Sequence, residues 1–223
     1  MGQSVQLRSA DGFGFAGYEA LPEGDPIGAI VVIQEVFGVN EHIREVVDGY
    51  AADGYAAVAP QIFDRVERDI ELGYEETDMG KGVQIAFEKL EMPNTLSDIQ
   101  CAIEYASRFG NVGVVGYCFG GLLTWLSACD LDGVTAASSY YGGGVAAQLE
   151  RTAKCPVIMH FGELDAHIPM TDVEKIRAAQ PDVTVYVYPA DHGFNCDHRA
   201  SHDANSAALA KERTLAFFAE HLA

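Results

Sequence analysis

Cys118 lies in Gly116-Tyr117-Cys118-Phe119-Gly120, a Gly-x-nucleophile-x-Gly run with a thiol where a hydroxyl is more usual. A thiol attacks a carbonyl only as its thiolate, so it needs a base within reach. His192, in Asp191-His192-Gly193-Phe194, has the residue type to take that proton near neutral pH and return it to a leaving group. Asp165, in Gly162-Glu163-Leu164-Asp165, has the type to orient the imidazole and stabilise its charged form. Charge that develops on a carbonyl oxygen needs fixed donors. The backbone N–H groups of Phe119, just after the thiol, and of Val36 are the ones expected to supply them. These residue types together suit acyl transfer: cleavage of an ester, thioester or lactone by a cysteine.

Taken singly, each residue has a plainer reading. A cysteine after a strand is often a small core residue, an aspartate often a turn or cap, and a histidine often a loop residue. Placement is what joins them. Val112 to Gly116 is an apolar, β-branched strand, and Gly121-Leu122-Leu123-Thr124-Trp125-Leu126 opens a helix, which is the strand–turn–helix setting that raises a nucleophile above a sheet. The start of that helix favours a thiolate through its unpaired N–H groups and its dipole. Glu35-Val36 follow the continuous apolar run Gly28–Gln34, Asp165 follows a strand over Pro156–Phe161, and His192 follows an alternating strand over Val183–Tyr188. Functional side chains of parallel sheets collect past the carboxyl ends of the strands. The chain order nucleophile, acid, histidine is that of α/β-hydrolases.

The remaining elements supply the frame. Val5–Arg8 and Phe13–Ala20 read as a hairpin turning at Asp11-Gly12, and Asn40 caps a helix that runs to Tyr50. Tyr55–Ala59 is a strand, residues 60–72 a polar loop over one edge, and residues 74–91 weakly helical. Asn94 or Thr95 caps a helix whose stripe is Leu96, Ile99, Ala102, Ile103 and Ala106. Val134–Tyr141 reads as a strand, Val145–Arg151 as a short helix, Thr171–Ala179 as a helix and 203–222 as a long final helix. Alternating strands and helices predict one α/β domain over residues 1–223. Its sheet should be mostly parallel with helices on both faces, and the short Gly142–Val145 connection leaves no room for a large lid.

The composition agrees. Forty-eight per cent of the 223 residues are hydrophobic, enough for a sizeable core. A formal charge of −19 argues against nucleic acid and anionic membranes as partners. Five cysteines, Cys101, Cys118, Cys129, Cys155 and Cys196, form no CxxC pair, which fits a reduced, cytoplasmic protein. The first residues show no secretory pattern, and no apolar run is long enough for a membrane span. His192, Cys196, His198 and His202 have zinc-ligating types but none of the usual spacings. His160, inside a buried strand, reads as a satisfied core histidine.

Over nearly its whole length the chain resembles the dienelactone hydrolase (carboxymethylenebutenolidase) family, cysteine-dependent members of the α/β-hydrolase superfamily. The likeness rests on Gln34-Glu35-Val36-Phe37-Gly38-Val39-Asn40, Gly54-Tyr55-Ala56-Ala57-Val58-Ala59-Pro60, Gly116-Tyr117-Cys118-Phe119-Gly120-Gly121, Tyr140-Tyr141-Gly142, His192-Gly193-Phe194 and Glu212-Arg213-Thr214-Leu215-Ala216-Phe217-Phe218. The resemblance implies hydrolysis of a lactone or small ester with no cofactor and no metal. It implies Cys118, Asp165 and His192 as the triad, with Glu35 touching the resting thiol and taking part in its activation. It also implies an arginine for a substrate carboxylate. Arg65 is the candidate, with Lys81 and Arg199 behind it, and Phe37, Tyr141 and Phe194 are expected around the substrate. The family arginine four residues after the histidine is here Cys196. A monomer or weak dimer is expected, with a small lactone or ester as the only partner. The rival readings are a generic carboxylesterase or thioesterase with the same triad, and a thiol redox protein that uses Cys118.

Overall fold

The computed structural model describes residues 2–223. Three apolar strands, β3 (Ala29–Ile33), β4 (Ala56–Pro60) and β5 (Val112–Tyr117), are buried along their whole lengths, as their unbroken apolar sequences require of strands covered on both faces. The other strands are β1 (Gln3–Arg8), β2 (Gly14–Ala20), β6 (Val134–Tyr140), β7 (Val157–Gly162) and β8 (Thr184–Tyr188). Together they form one eight-stranded sheet in the order β1-β2-β4-β3-β5-β6-β7-β8. The β1–β2 and β2–β4 pairs are antiparallel, so β2 runs against the other strands; β4, β3, β5, β6, β7 and β8 pair in parallel. The opening hairpin and the parallel body are therefore as the sequence predicts, and the architecture is the α/β-hydrolase fold.

Among the described residues six helices cover the faces: α1 (Glu41–Ala52), α2 (Glu76–Gln84, continued by a wider turn over Ile85–Lys89), α3 (Met92–Ala106), α4 (Phe119–Asp130), α5 (Met170–Ala179) and α6 (Ala204–Leu222). Asn40 caps α1, its side chain accepting from the Ile43 N–H at 3.3 Å. Helix α3 starts earlier than its Asn94–Thr95 signal: Pro93 sits in its first turn, where a missing N–H costs nothing. Residues 60–72 are not all loop. Ile62–Arg65 form a helical turn that tucks Ile62, Phe63 and Asp64 inside. The predicted helix at Val145–Arg151 shortens to a single turn, Val145–Ala147. Trp125 on α4 is fully buried and donates to the Gln148 carbonyl at 3.3 Å. Among the described residues no helix is long and apolar enough to cross a membrane.

Candidate active site

The strand-to-helix turn at Cys118 is built by close approach. A Cβ on Gly116 would lie 2.1 Å from the Gly120 carbonyl oxygen, and one on Gly120 would lie 2.3 Å from that of Ile33. Only glycines let β5, β3 and α4 converge there. The turn is completed at Cys118 itself, which has φ 56° and ψ −114°. That is a left-handed region that costs a side-chain-bearing residue roughly 1–3 kcal/mol. The cysteine N–H donates to the Tyr140 carbonyl at 3.0 Å, tying the strained residue to β6. The thiol is left half-buried at the first turn of α4.

Asp165 and His192 reach the same point from the ends of β7 and β8. Asp165 Oδ1 accepts from the N–H groups of His167 (2.7 Å) and Ile168 (3.1 Å), which leaves Oδ2 free to take the His192 Nδ1–H at 2.7 Å. Burial acts to push the His192 imidazole down. The hydrogen bond to Asp165 and the negative charge of Asp165 and of the neighbouring Cys118 sulfur override it and push the value up to about 10. Burial likewise acts to raise Asp165, but the His192 contact and the two backbone donors leave it below the usual carboxylate range. The pair is thus arranged for an imidazolium beside an anion.

These residues open on a cavity of about 330 Å3. Val36 and Phe119, the expected oxyanion donors, line it together with Phe37, Cys118 and His192. Cys118 and His192 share the cavity, and Asp165 stands behind His192. The cavity's outer wall comes from α2, whose Met79, Val83 and Phe87 recur every fourth residue along one helical face. Val83 and Phe87 are exposed, and the Phe87 ring meets that of Phe119 at 5.2 Å. Gly82 fixes this wall: a Cβ there would sit 2.0 Å from the Val36 carbonyl oxygen. This wall is not among the residues expected from the sequence, although the 79/83/87 spacing carries its signal. Nor is His167, which lines the cavity with its ring 5.4 Å from that of His192.

Three expectations about the substrate side are corrected. Arg65 does not reach the cavity. Its guanidinium grips the fully buried Asp98 through two hydrogen bonds (2.8 and 2.7 Å), Asp11 through a third (2.6 Å), and lies over the Phe13 ring at 4.3 Å. It clamps the β1–β2 turn to α3. Tyr141 and Phe194 are fully buried and do not line the cavity; the Tyr141 ring stands edge-on to His192 at 5.1 Å and packs on Phe194 at 5.3 Å. They back the histidine. Lys81 is paired at the surface with Glu67 at 3.0 Å.

The cavity's arginine is Arg199. Its Nη1 is 3.5 Å from Glu35 Oε1, and its guanidinium stands 5.7 Å from the Phe37 ring. The positive φ of Gly193 (+78°) and its missing side chain make room, since a Cβ there would lie 2.4 Å from Arg199 Nη1. Glu35 is fully buried and turned toward this arginine. Its second oxygen, Oε2, has no hydrogen-bond partner among the described residues. Cys196 is buried, and its thiol donates to the Tyr74 hydroxyl at 3.3 Å. Burial and the nearby Glu35 push that thiol up to about 12, which makes it a poor nucleophile.

Comparison with known proteins places the chain in a family. The model of the Dienelactone hydrolase family matches residues 15–222. A protein of Synechocystis sp., provisionally named a carboxymethylenebutenolidase, is 37% identical over 228 residues, covering 93% of this chain and 92% of its own. The carboxymethylenebutenolidase of Pseudomonas putida is 33% identical over 227 residues, covering 97% and 96%. The crystal structure of a provisionally assigned dienelactone hydrolase from Klebsiella pneumoniae superposes with a TM-score of 0.84 at 30% identity, covering 99% of this chain and all of that one. With a family match over almost its entire length, relatives alike from end to end and the same fold, this chain belongs to the dienelactone hydrolase family and is a hydrolase acting on ester bonds.

Proposed function

We propose that the protein hydrolyses small lactones or esters through a covalent thioester on Cys118. The observation that carries this reading is the strained Cys118 at one apolar cavity with His192, whose ring is held from behind by Asp165. The thiolate attacks the substrate carbonyl, and the oxygen that becomes negative is met by the N–H groups of Phe119 and Val36. The carbonyl–oxygen bond of the ring then breaks, and the leaving oxygen takes the proton held on His192. Water attacks the thioester and gives a proton to His192. The thiolate leaves, and the imidazolium–thiolate pair is restored. No oxidant, cofactor or metal enters this sequence. Asp165 holds the ring so that its proton points at the reacting atoms.

The cavity also indicates the kind of substrate. Met79, Val83, Phe87 and Leu122 suit an apolar body, and Arg199 is the one arginine or lysine among the described lining residues. A carboxylate-bearing lactone fits both, with its carboxylate taking Arg199 from Glu35. A generic esterase reading is favoured instead by the exposed Val83 and Phe87, which make no demand for charge.

The experiment is a hydrolysis panel of lactones and aryl esters, each with and without a free carboxylate. It is run on wild type, Cys118→Ala and Arg199→Ala. Cys118→Ala should lose about 10³-fold or more in kcat/KM while keeping its fold. Arg199→Ala should lose about 10–100-fold on carboxylate-bearing substrates only, the worth of one charged hydrogen bond. Turnover by folded Cys118→Ala would refute the thioester. Equal losses of Arg199→Ala on charged and neutral substrates would leave the esterase reading.

A further inference from the structure

The loop after His192 brings a second constellation together, outside the cavity. His42 and Glu45 lie three residues apart on α1, and Asp197 and His198 come from the 193–202 loop. One donor atom of each lies within 4.8 Å of those of the other three. His42 Nδ1 is 3.2 Å from Asp197 Oδ1. His198 Nε2 is 2.7 Å from Glu45 Oε2 and 3.8 Å from Asp197 Oδ1. A tetrahedral zinc shell with bonds of about 2.0–2.2 Å holds its donors roughly 3.3–3.6 Å apart. The cluster is already close to that spacing, and three of its four residues are exposed and free to adjust. It borders a cavity of about 300 Å3 through which an ion can enter. The cation that shares this cavity, Lys211, is held by Asp53 at 2.8 Å.

A second observation points to a ligand on His42. Its side chain is 3% exposed, and Nε2, the nitrogen away from Asp197, has no hydrogen-bond partner. A His42 ring nitrogen also lies within 4.8 Å of a Glu35 carboxylate oxygen, and Glu35 Oε2 is unpartnered too. If Nδ1 carries the proton and donates to Asp197, Nε2 is a buried acceptor left without a donor. If a cation takes Nδ1, the proton moves to Nε2, on a ring that has the Glu35 carboxylate within 4.8 Å of one of its nitrogens. Metal-bound histidines are held by a second ring N–H directed at a carboxylate.

We propose that His42, Glu45, Asp197 and His198 bind one divalent transition-metal ion of zinc's kind, and that the ion pins the 193–202 loop to the first turn of α1. Two neutral imidazoles and two carboxylates balance the charge of such an ion, and the imidazoles select against magnesium and calcium. The ion lies outside the hydrolytic chemistry, but the loop it holds carries Arg199 and follows His192.

The test uses chelator-treated full-length protein titrated with Zn2+ by calorimetry and with Co2+ by absorption. Expected are one ion per chain and visible Co2+ bands without the near-ultraviolet absorption of a thiolate ligand. A rise in Tm with Zn2+ should accompany binding. His198→Ala and Glu45→Gln change exposed side chains, so the fold should survive, and each should weaken binding at least about 10-fold. Cys118→Ala and Cys196→Ala should leave it unchanged. Binding that survives His198→Ala and disappears with either cysteine variant would place the metal on thiols and overturn the proposal. So would the lack of saturable binding up to about 1 mM Zn2+.

Discussion

His160 and His192 stand near the ends of adjacent strands, and both are shielded from water, yet they are held in opposite charge states. His160 is fully buried on β7. Its Nδ1 meets the Tyr188 hydroxyl at 2.7 Å and its Nε2 the Thr214 hydroxyl at 3.1 Å. Burial, helped by the positive Arg213, pushes it down to about 3. His192 is also desolvated, but it faces the Asp165 carboxylate and the Cys118 sulfur with their negative charge, and it rises to about 10. Hydroxyls satisfy a neutral ring without favouring charge, whereas anions favour the charged ring strongly enough to outweigh burial. One residue type thus becomes packing in one place and a proton carrier in the other.

The sharpest way to break this contrast is Asp165→Asn. His192 should then titrate far below its present value, because burial is no longer opposed by a carboxylate, and kcat/KM should fall by about 10²–10⁴-fold. Imidazole NMR across a pH series and steady-state kinetics check the two halves. An unchanged His192 titration would assign its elevation to Cys118 alone.

The two arginines form a parallel contrast between structure and site. Arg65→Ala should destabilise by about 3 kcal/mol, because it leaves the buried Asp98 carboxylate without its bidentate partner. Catalysis by the folded fraction should be unaffected. Denaturant unfolding and kcat/KM on one preparation separate the effects, and a selective loss on charged substrates would return Arg65 to the site.

On the His160 side, Thr214→Val removes the hydroxyl shared by Ser138 (3.0 Å), Tyr140 (2.8 Å) and His160. A loss of about 1–3 kcal/mol is expected at nearly unchanged kcat, since the buried partners lose hydrogen bonds in which Cys118, Asp165 and His192 take no part. A collapse of kcat without loss of stability would show that the cluster supports the chemistry.

The smallest effect is on the pH dependence of stability, where the two histidines have opposite signs. The stability His192 gains from its raised value is fully present below about 6.5, the ordinary histidine value, and is lost as pH rises through about 10. That of His160, whose value is lowered, is present above about 6.5 and is lost as pH falls toward about 3. Unfolding midpoints across pH should therefore show the alkaline decline flattened in Asp165→Asn and the acid decline flattened in His160→Leu. Parallel profiles for all three proteins would mean that other groups dominate both arms.

Much of the architecture was legible along the chain because it rests on local rules. Continuous apolar runs named the central strands, and Gly116 and Gly120 named the turn that lifts Cys118. The order Cys118, Asp165, His192 past successive strand ends named the candidate triad. Arg65, Tyr141 and Phe194 were misplaced because their neighbours in sequence do not reveal their neighbours in space. Arg65 follows a strand end but turns away to Asp98, 33 residues along. Tyr141 and Phe194 flank site residues yet point inward.

What the sequence determined by itself was the class of chemistry and the order of the elements, because period, glycine placement and residue type act over a few positions. What only the tertiary structure decided was which cation shares the cavity, which helix walls it, and which histidine is charged. Those depend on contacts between segments far apart in the chain. Arg199 meets Glu35 across 164 residues, His192 meets Asp165 across 27, and His42 meets Asp197 across 155, and no local pattern encodes how the sheet brings such pairs together.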